Sequence, residues 1–537
     1  MRKRIIIMMI IIITFMTGCK KQESQDNNQQ AKPPVRGGVI TVGTTKEPDN
    51  LNPLLINKVN SIGIENAIFS GLLKLDKDLN WQPDLVLEVP TMENGGISND
   101  GKTVTYKLKQ NVRWHDGHLF DAEDVIFTYQ VASNPSVNVF NREGYNLITD
   151  IQAPDPYTVQ ITFQQPYASF YELFSAILPQ HILQGQNINT SSFNKAPVGT
   201  GPFMFKEWDE GEQLVLEAYP EYHGSEGPFL EQINFKFVQD QIVLVDLLEK
   251  GEVDVIQDFS YALIDKVKAI KGVEIVNLAS LEWEHLDFNL NNWILQDKNV
   301  RQAIAYAIDR QEILNKVLGG QGEIAHTDIP VQSWAYNPDV KKYNRDLGKA
   351  KQLLADAGWK DTDGDGILDK NGTKLQLKLS TTEGFISREQ AQQLIIEQLK
   401  EVGIEVVAEN YPNNVLLGDI LRNHKFDLIL YAFIANPDPI NYSLWHSSQV
   451  PPLGQNYIGY SNPEMDTQLK IAVNSLDVNI RKQALFRAQE ILVEDLPVLP
   501  LYFRPRLNAA KQEIKGFQPN PTSGGLFWNI GEWWIEK

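Results

Sequence analysis

The stretch Ile434 to Trp445, IANPDPINYSLW, gathers Asn436, Asp438, Asn441, Tyr442 and Trp445 within a dozen residues. Amides, a carboxylate and flat rings in one segment suit the capture of a small polar ligand. Asp438 has two readings. In a water-poor cleft its carboxylate holds a ligand ammonium through a charge-assisted bond. Between Pro437 and Pro439 it caps a turn instead.

Carboxylates also repeat at Asp361, Asp363 and Asp365, followed by Gly366 and Asp369. This spacing matches the first half of a calcium loop, where alternating carboxylates supply hard oxygen ligands and the glycine permits a sharp bend. Gly372 stands where the closing bidentate Glu belongs. The segment is therefore either a structural calcium site or an Asp-Gly turn, and no other pattern asks for a cofactor. Catalytic patterns are missing: there is no Gly-x-Ser-x-Gly, no HExxH and no P-loop. The eight histidines form no cluster with ligand spacing. An enzyme is not expected, and a secreted hydrolase stands only as a rival reading, beside a surface adhesin or chaperone-like lipoprotein.

The single cysteine, Cys19, closes a leader with a basic start (Arg2, Lys3, Arg4) and an apolar run from Ile5 to Met16. A run of twelve residues is too short for a stable bilayer anchor and fits the hydrophobic region of a secretory signal. Gly18 directly before the cysteine resembles a bacterial lipoprotein signal, with Met16 replacing the usual Leu of the box. Residues 1–18 are then a cleaved signal, and Cys19 is a lipidated first residue held at the outer face of a membrane, in the periplasm or at the cell surface. Residues 19–36, rich in Gln, Asn, Lys and Pro, cannot bury enough surface to fold and make a disordered tether. Losing the three cations of the leader takes the formal charge from −19 to −22. So acidic a body excludes nucleic acid as a partner.

About 500 folded residues exceed one core, so two or more lobes are expected. An α/β scaffold is written most clearly in the second half. Leu375 to Ser380 reads as a strand; Ser387 starts a capping box with Gln390; Ala391, Leu394, Ile395, Leu399 and Val402 make a helical stripe ended by Gly403. Ile404 to Ala408 and Phe426 to Phe433 follow as strands around a short helix, Val415 to Asn423. An earlier unit has strands Ile233 to Val238 and Val253 to Gln257 around a helix capped by Asp240 and closed by Gly251. Val300 to Leu318 is helical with a break at Asp309. Between Trp81 and Ala196 lie short strands and turn signals, which read as an insertion.

Several blocks, in order, resemble the family 5 extracellular solute-binding proteins, the receptors of peptide, dipeptide and nickel ABC importers. They are EPDNLNPLL at Glu47 to Leu55, VRWHDGHLFDAEDV ending at Val125, PVGTGPFMFKEW at Pro197 to Trp208, NVRQAIAYAIDR at Asn299 to Arg310, LWHSSQ at Leu444 to Gln449 and GYSNPEMD at Gly459 to Asp466. The resemblance implies an α/β, two-lobed periplasmic-binding-protein fold with an insertion subdomain in the first lobe. Lobe I is then 37–80, 197–286 and 505–537, the insertion is 81–196 and lobe II is 287–504. It also implies a monomer that closes its lobes around a ligand and presents it to the permease subunits of an ABC transporter. Peptides, in particular oligopeptides, are the expected ligand; nickel chelates, haem and oligosaccharides are served by the same architecture. In peptide-binding relatives an aspartate in an Asp-Tyr-x-x-Pro pattern holds the ligand's amino terminus. The matching position here is Ala435, and Asp438 lies three residues later. Either Asp438 takes over from a shifted loop, or the site does not fix a free amino terminus that way. Asn289, Asn291 and Trp293 follow the expected lobe crossing and are further ligand candidates, with Trp293 either a platform or plain core.

Overall fold

The computed structural model describes residues 33–56, 63–224, 227–522 and 524–537. The leader, Cys19 and the tether as far as residue 32 lie outside them. One mixed sheet runs through the molecule. From edge to edge its strands are Glu405–Tyr411, Gln376–Thr382, Leu428–Ile434, Val273–Phe288, Val498–Lys511, Val255–Ile256, Val39–Thr44, Gln232–Phe237, Gln213–Ala218 and Phe203–Asp209, with Glu323–Ile324 added to Val498–Lys511.

Two long antiparallel strands, Val273–Phe288 and Val498–Lys511, belong to both lobes. Val273 to Ala279 pair with Pro505 to Lys511, and Trp283 to Asp287 pair with Val498 to Phe503, with a register irregularity between Ala279 and Trp283. Leu507, Ala509 and Ala510 pack into first-lobe clusters, whereas Trp283 and Leu286 pack into second-lobe clusters. The passage therefore falls at residues 280–282, ahead of the boundary at Asp287 drawn from sequence. An irregular ladder bends more easily than a regular one, which fixes the crossing there. Arg504 staples it, reaching Glu282 at 3.1 Å and Glu284 at 3.4 Å, while Ser280 donates to the Arg504 carbonyl at 2.6 Å.

On either side the lobes are built from parallel units with helical crossovers. In lobe II, Gln376–Thr382 and Glu405–Tyr411 pair in parallel around the helix Ile386–Lys400. The expected capping box is not there. Phe385 precedes the helix without a side-chain cap and Ser387 lies inside the first turn. Glu389 accepts from the Gly384 amide at 2.9 Å, which ties the turn ahead of the helix to its first turn without capping the helix amides. The break at Asp309 is present: its carboxylate accepts from the Glu312 amide at 2.9 Å and starts the helix Arg310–Leu318. In lobe I, Asp240 caps the helix Gln241–Lys250, and Gly251, at φ +78°, ends it in the left-handed region that glycine adopts without strain.

The insertion carries an antiparallel sheet of Thr103–Lys107, Thr158–Phe163 and Ile148–Asp155 over a core that includes Trp114, Phe120 and Phe170. Its helix Ala122–Ser133 begins with a capping box of Asp121 and Asp124, and Phe127 and Val131 pack into the first-lobe core. The sequence blocks that carry the family resemblance act here as clamps. His115 accepts from the Gly199 amide at 3.2 Å and meets the Gly201 carbonyl at 3.0 Å, joining two blocks that lie 84 residues apart. A Cβ on Gly199 would sit 1.9 Å from the Ile68 carbonyl oxygen, so that crossing requires glycine. Glu47 accepts from the Trp208 indole at 2.8 Å. Arg310 donates to the carbonyls of Ala325, Pro500 and Tyr343 at 2.6, 3.0 and 2.9 Å.

Candidate functional site

A cavity of about 1030 Å³ opens where lobe I, the insertion and lobe II meet. This lies at the upper end of the range for small-ligand sites, roughly 300–1,000 Å³. The first lobe contributes Asn66, Lys74, Tyr222, Asn520, Trp528 and Glu532. Trp81, Phe140, Glu143, Tyr167 and Glu172 come from the insertion, and the second lobe adds Leu417, Arg422, Gln455, Tyr457 and the run Tyr431 to Pro437. Leu417 sits on the turn Leu416–Leu421, which is wound as a π-helix, a distortion common at functional sites.

The floor is the end of the strand Leu428–Ile434. On one side it pairs with Val273–Phe288 along its whole length. On the other it meets Gln376–Thr382 only at Leu428 and Ile429. Beyond Ile429 that second edge carries no strand among the described residues. Ala435 donates to the Leu281 carbonyl at 2.9 Å, so Ala432 and Ile434, at alternate positions, direct their backbone groups to the open edge. Both residues line the cavity.

Of the residues singled out from sequence, Asn436 lines this cavity and the others are engaged elsewhere. Asp438 is buried and forms an ion pair with Arg481, while accepting from the Ser169 hydroxyl at 2.8 Å. Asn441 and Trp445 donate to one oxygen of Asp328 at 2.5 and 2.6 Å. Burial raises the Asp328 pKa, and these two donors work against that rise. Tyr442 stacks on His446 with ring centres 4.4 Å apart. Asn289 donates to the carbonyls of His424 and Phe426 at 3.1 and 2.7 Å and receives the Asn291 amide at 3.0 Å. Trp293 is 52% exposed and stacks on Trp359, away from the cavity. The predicted ligand loop thus enters the cavity with its first four residues and then turns away, because the Asp438–Arg481 pair pulls it into lobe II.

The aspartate loop lies on the surface. Ligand atoms of Asp361, Asp363 and Asp365 come within 4.8 Å of one another, but the Lys374 ammonium sits against Asp363 at 3.2 Å and against Asp365. Asp369 turns to Thr362, accepting from its hydroxyl at 2.7 and 2.8 Å. Asp361 accepts from the amides of Gly364 and Gly366 at 2.7 and 3.0 Å. This donor set does not fit calcium unless Lys374 is displaced, and Asp369 is outside it.

Beneath the floor lies a buried polar group that sequence reasoning missed. Tyr431 donates to Asp287 at 2.8 Å, and His285 Nε2 stands 3.7 Å from the other Asp287 oxygen. Among the described residues neither of those last two atoms has a hydrogen-bond partner. Burial pushes the Asp287 carboxyl up to about 7 and holds the His285 imidazole down at about 3. The ring of His285 stacks on Phe433 at 5.0 Å, which ties this group to the cavity wall.

Residues 81–451 match the family described as bacterial extracellular solute-binding proteins, family 5. The oligopeptide-binding protein AppA of Bacillus subtilis (strain 168) is 34% identical over 519 residues, covering 94% of this chain and 93% of that one. The solved structure of B. subtilis AppA in complex with a nonapeptide superposes with a TM-score of 0.75 at 32% identity, covering 94% of this chain and 100% of that chain. NikZ from Campylobacter jejuni in complex with Ni(L-His) superposes with a TM-score of 0.76 at 27% identity, over 92% of this chain and 99% of that one. With a two-lobed fold, a cavity at the junction of the lobes and a family match over most of its length, the chain belongs to the family 5 bacterial extracellular solute-binding proteins.

Proposed function

We propose that this protein is the extracytoplasmic substrate-binding component of an ABC importer, that it captures peptides between its lobes, and that it presents them to the permease subunits. The observation that carries this reading is the open strand edge at Ala432 and Ile434 on the cavity floor. An extended peptide adds to such an edge through main-chain hydrogen bonds that every peptide can make, leaving its side chains to the surrounding walls. Trp81, Trp528, Tyr222 and Phe433 offer those walls flat apolar surface, and Asn66, Asn436 and Gln455 offer amides. The likeness to AppA, whose solved complex holds a nonapeptide, supports oligopeptides over single amino acids. Native mass spectrometry of the protein purified without denaturation tests the reading: a mixture of peptides supports it, and a single sugar or metal chelate contradicts it.

Anchoring belongs to the same proposal. Among the described residues no helix is long and apolar enough to cross a membrane. A diacylated Cys19 would hold the receptor beside its permease, since two acyl chains make attachment stable where one does not. Cys19→Ala is expected to move the protein from the membrane fraction to the medium or periplasm with its peptide affinity unchanged. A variant that stays on the membrane contradicts lipid anchoring.

A further inference from the structure

Beside the cavity the insertion grips lobe II. The short helix Ala168–Glu172 of the insertion carries Ser169 and Glu172 one turn apart, so both reach the same neighbour. That neighbour is Asp438 of lobe II: the Ser169 hydroxyl donates to its carboxylate at 2.8 Å, and its own amide donates to the Glu172 carboxylate at 3.0 Å. Asp438 is a firm anchor, because Arg481 pairs with it and is itself held by the Ala472 carbonyl at 3.1 Å. A second contact lies alongside. Leu476, on the turn between the helices Pro463–Asn474 and Val478–Asp495, reaches out of lobe II and packs against the core of the insertion. Its socket needs a glycine: a Cβ on Gly101 would fall 2.9 Å from the Leu476 side chain and 3.3 Å from Pro166. The helix Pro463–Asn474 also rests on Ala168–Glu172.

Both contacts join parts that the bendable passage at residues 280–282 leaves free to separate. They therefore stabilise the closed arrangement and are lost in an open one. The two hydrogen bonds end on carboxylates, which makes them charge-assisted. They are also wired to the ligand. Asn436 and Pro437, directly before Asp438, line the cavity, and Glu172 lines it from the insertion, while Ser169 and Leu476 stand outside the lining. Resting on the peptide reading above, we propose that the insertion is a clasp for the closed receptor. Ser169, Glu172 and the Leu476 knob fasten it to lobe II once peptide has settled the loop ahead of Asp438, and the strength of this clasp sets how long peptide is retained.

The test loads ligand-stripped protein with an equimolar mixture of alanine-rich peptides of mixed length, chases it with the same mixture in isotope-labelled form, and follows the exchange by native mass spectrometry. Ser169→Ala and Leu476→Ala are each expected to release peptide about tenfold faster, the lower end for losing a hydrogen bond to a charged group or a packed side chain. Their association rates and the melting temperatures of the peptide-free proteins are expected to match wild type, since the clasp is open there. Ser169→Asp, which sets two carboxylates against each other, is expected to speed release further, and small-angle scattering with peptide present is expected to show it more open than wild type. Release at the wild-type rate by all three variants, or a peptide-free melting temperature that falls in step with faster release, overturns the clasp while the peptide reading stands. Retention of no peptide by wild type overturns both.

Discussion

Arg481→Met lowers the stability of lobe II by about 3–5 kcal/mol, the range for removing one partner of a buried ion pair. The Asp438 and Arg481 side chains are each only 7% exposed, so water cannot take over the charge left behind. Arg481 is held further by the Ala472 carbonyl at 3.1 Å and by the Trp334 ring at 5.1 Å. Asp438→Ala is expected to cost a similar amount by stranding the guanidinium. The double variant is expected to recover much of the loss, because neither charge is then buried alone. Urea denaturation midpoints of the two single variants and the double variant check this. Single losses below about 1 kcal/mol would mean the pair behaves as a screened surface bridge. The effect reaches the site, since Asn436 and Pro437 line the cavity directly before Asp438. Peptide affinity is expected to fall together with stability.

Asp287→Asn changes how stability depends on pH. In the folded protein Asp287, near 7, keeps a proton that the unfolded chain releases above its usual 3.8, so it adds stability that is lost as pH rises through 7. His285, near 3, refuses a proton that the unfolded chain takes up below its usual 6.5, so its contribution is lost as pH falls through that range. Burial is the main cause for His285, and the Arg388 charge adds to it. Between about pH 4 and 6.5 the two groups oppose each other, because folded and unfolded chains both hold one proton on the pair. Wild type is thus protected from acid by Asp287. Removing that carboxyl leaves His285 alone, and the stability gap to wild type is expected to widen by about 1.4 kcal/mol per pH unit below about pH 6.5. Urea melts of both proteins from pH 4.5 to 7.5 measure this. Parallel profiles would show that the two groups do not share a proton inventory.

The scaffold was legible in the sequence because its signals are local. Asp240, Gly251 and Asp309 mark helix ends by their own chemistry, and the alternation from Leu375 to Leu379 follows from one buried face. Ser387 misled because a capping box is read from residue types alone, while the helix starts one residue earlier, at Ile386, and has no side-chain cap. The site was largely illegible. Its walls come from segments more than 300 residues apart, such as Glu143 and Trp528, and no spacing rule connects them. The blocks that carried the family resemblance turned out to be packing devices: His115, Glu47 and Arg310 clamp backbone and loops, while the cavity is lined mainly by residues outside those blocks. Asp438 was the natural choice by charge and position. Its partner Arg481, 43 residues away, could not be seen from the loop.

The central claim is that the cavity between the lobes holds peptides by their backbone, with little regard to side-chain sequence. Native mass spectrometry of protein purified gently from its own cells, followed by release and sequencing of what it carries, tests this most directly. The expected result is one equivalent of ligand per chain, composed of many peptides of several residues that share no fixed side chain. A single defined solute, such as one oligosaccharide or one metal chelate, would contradict the claim.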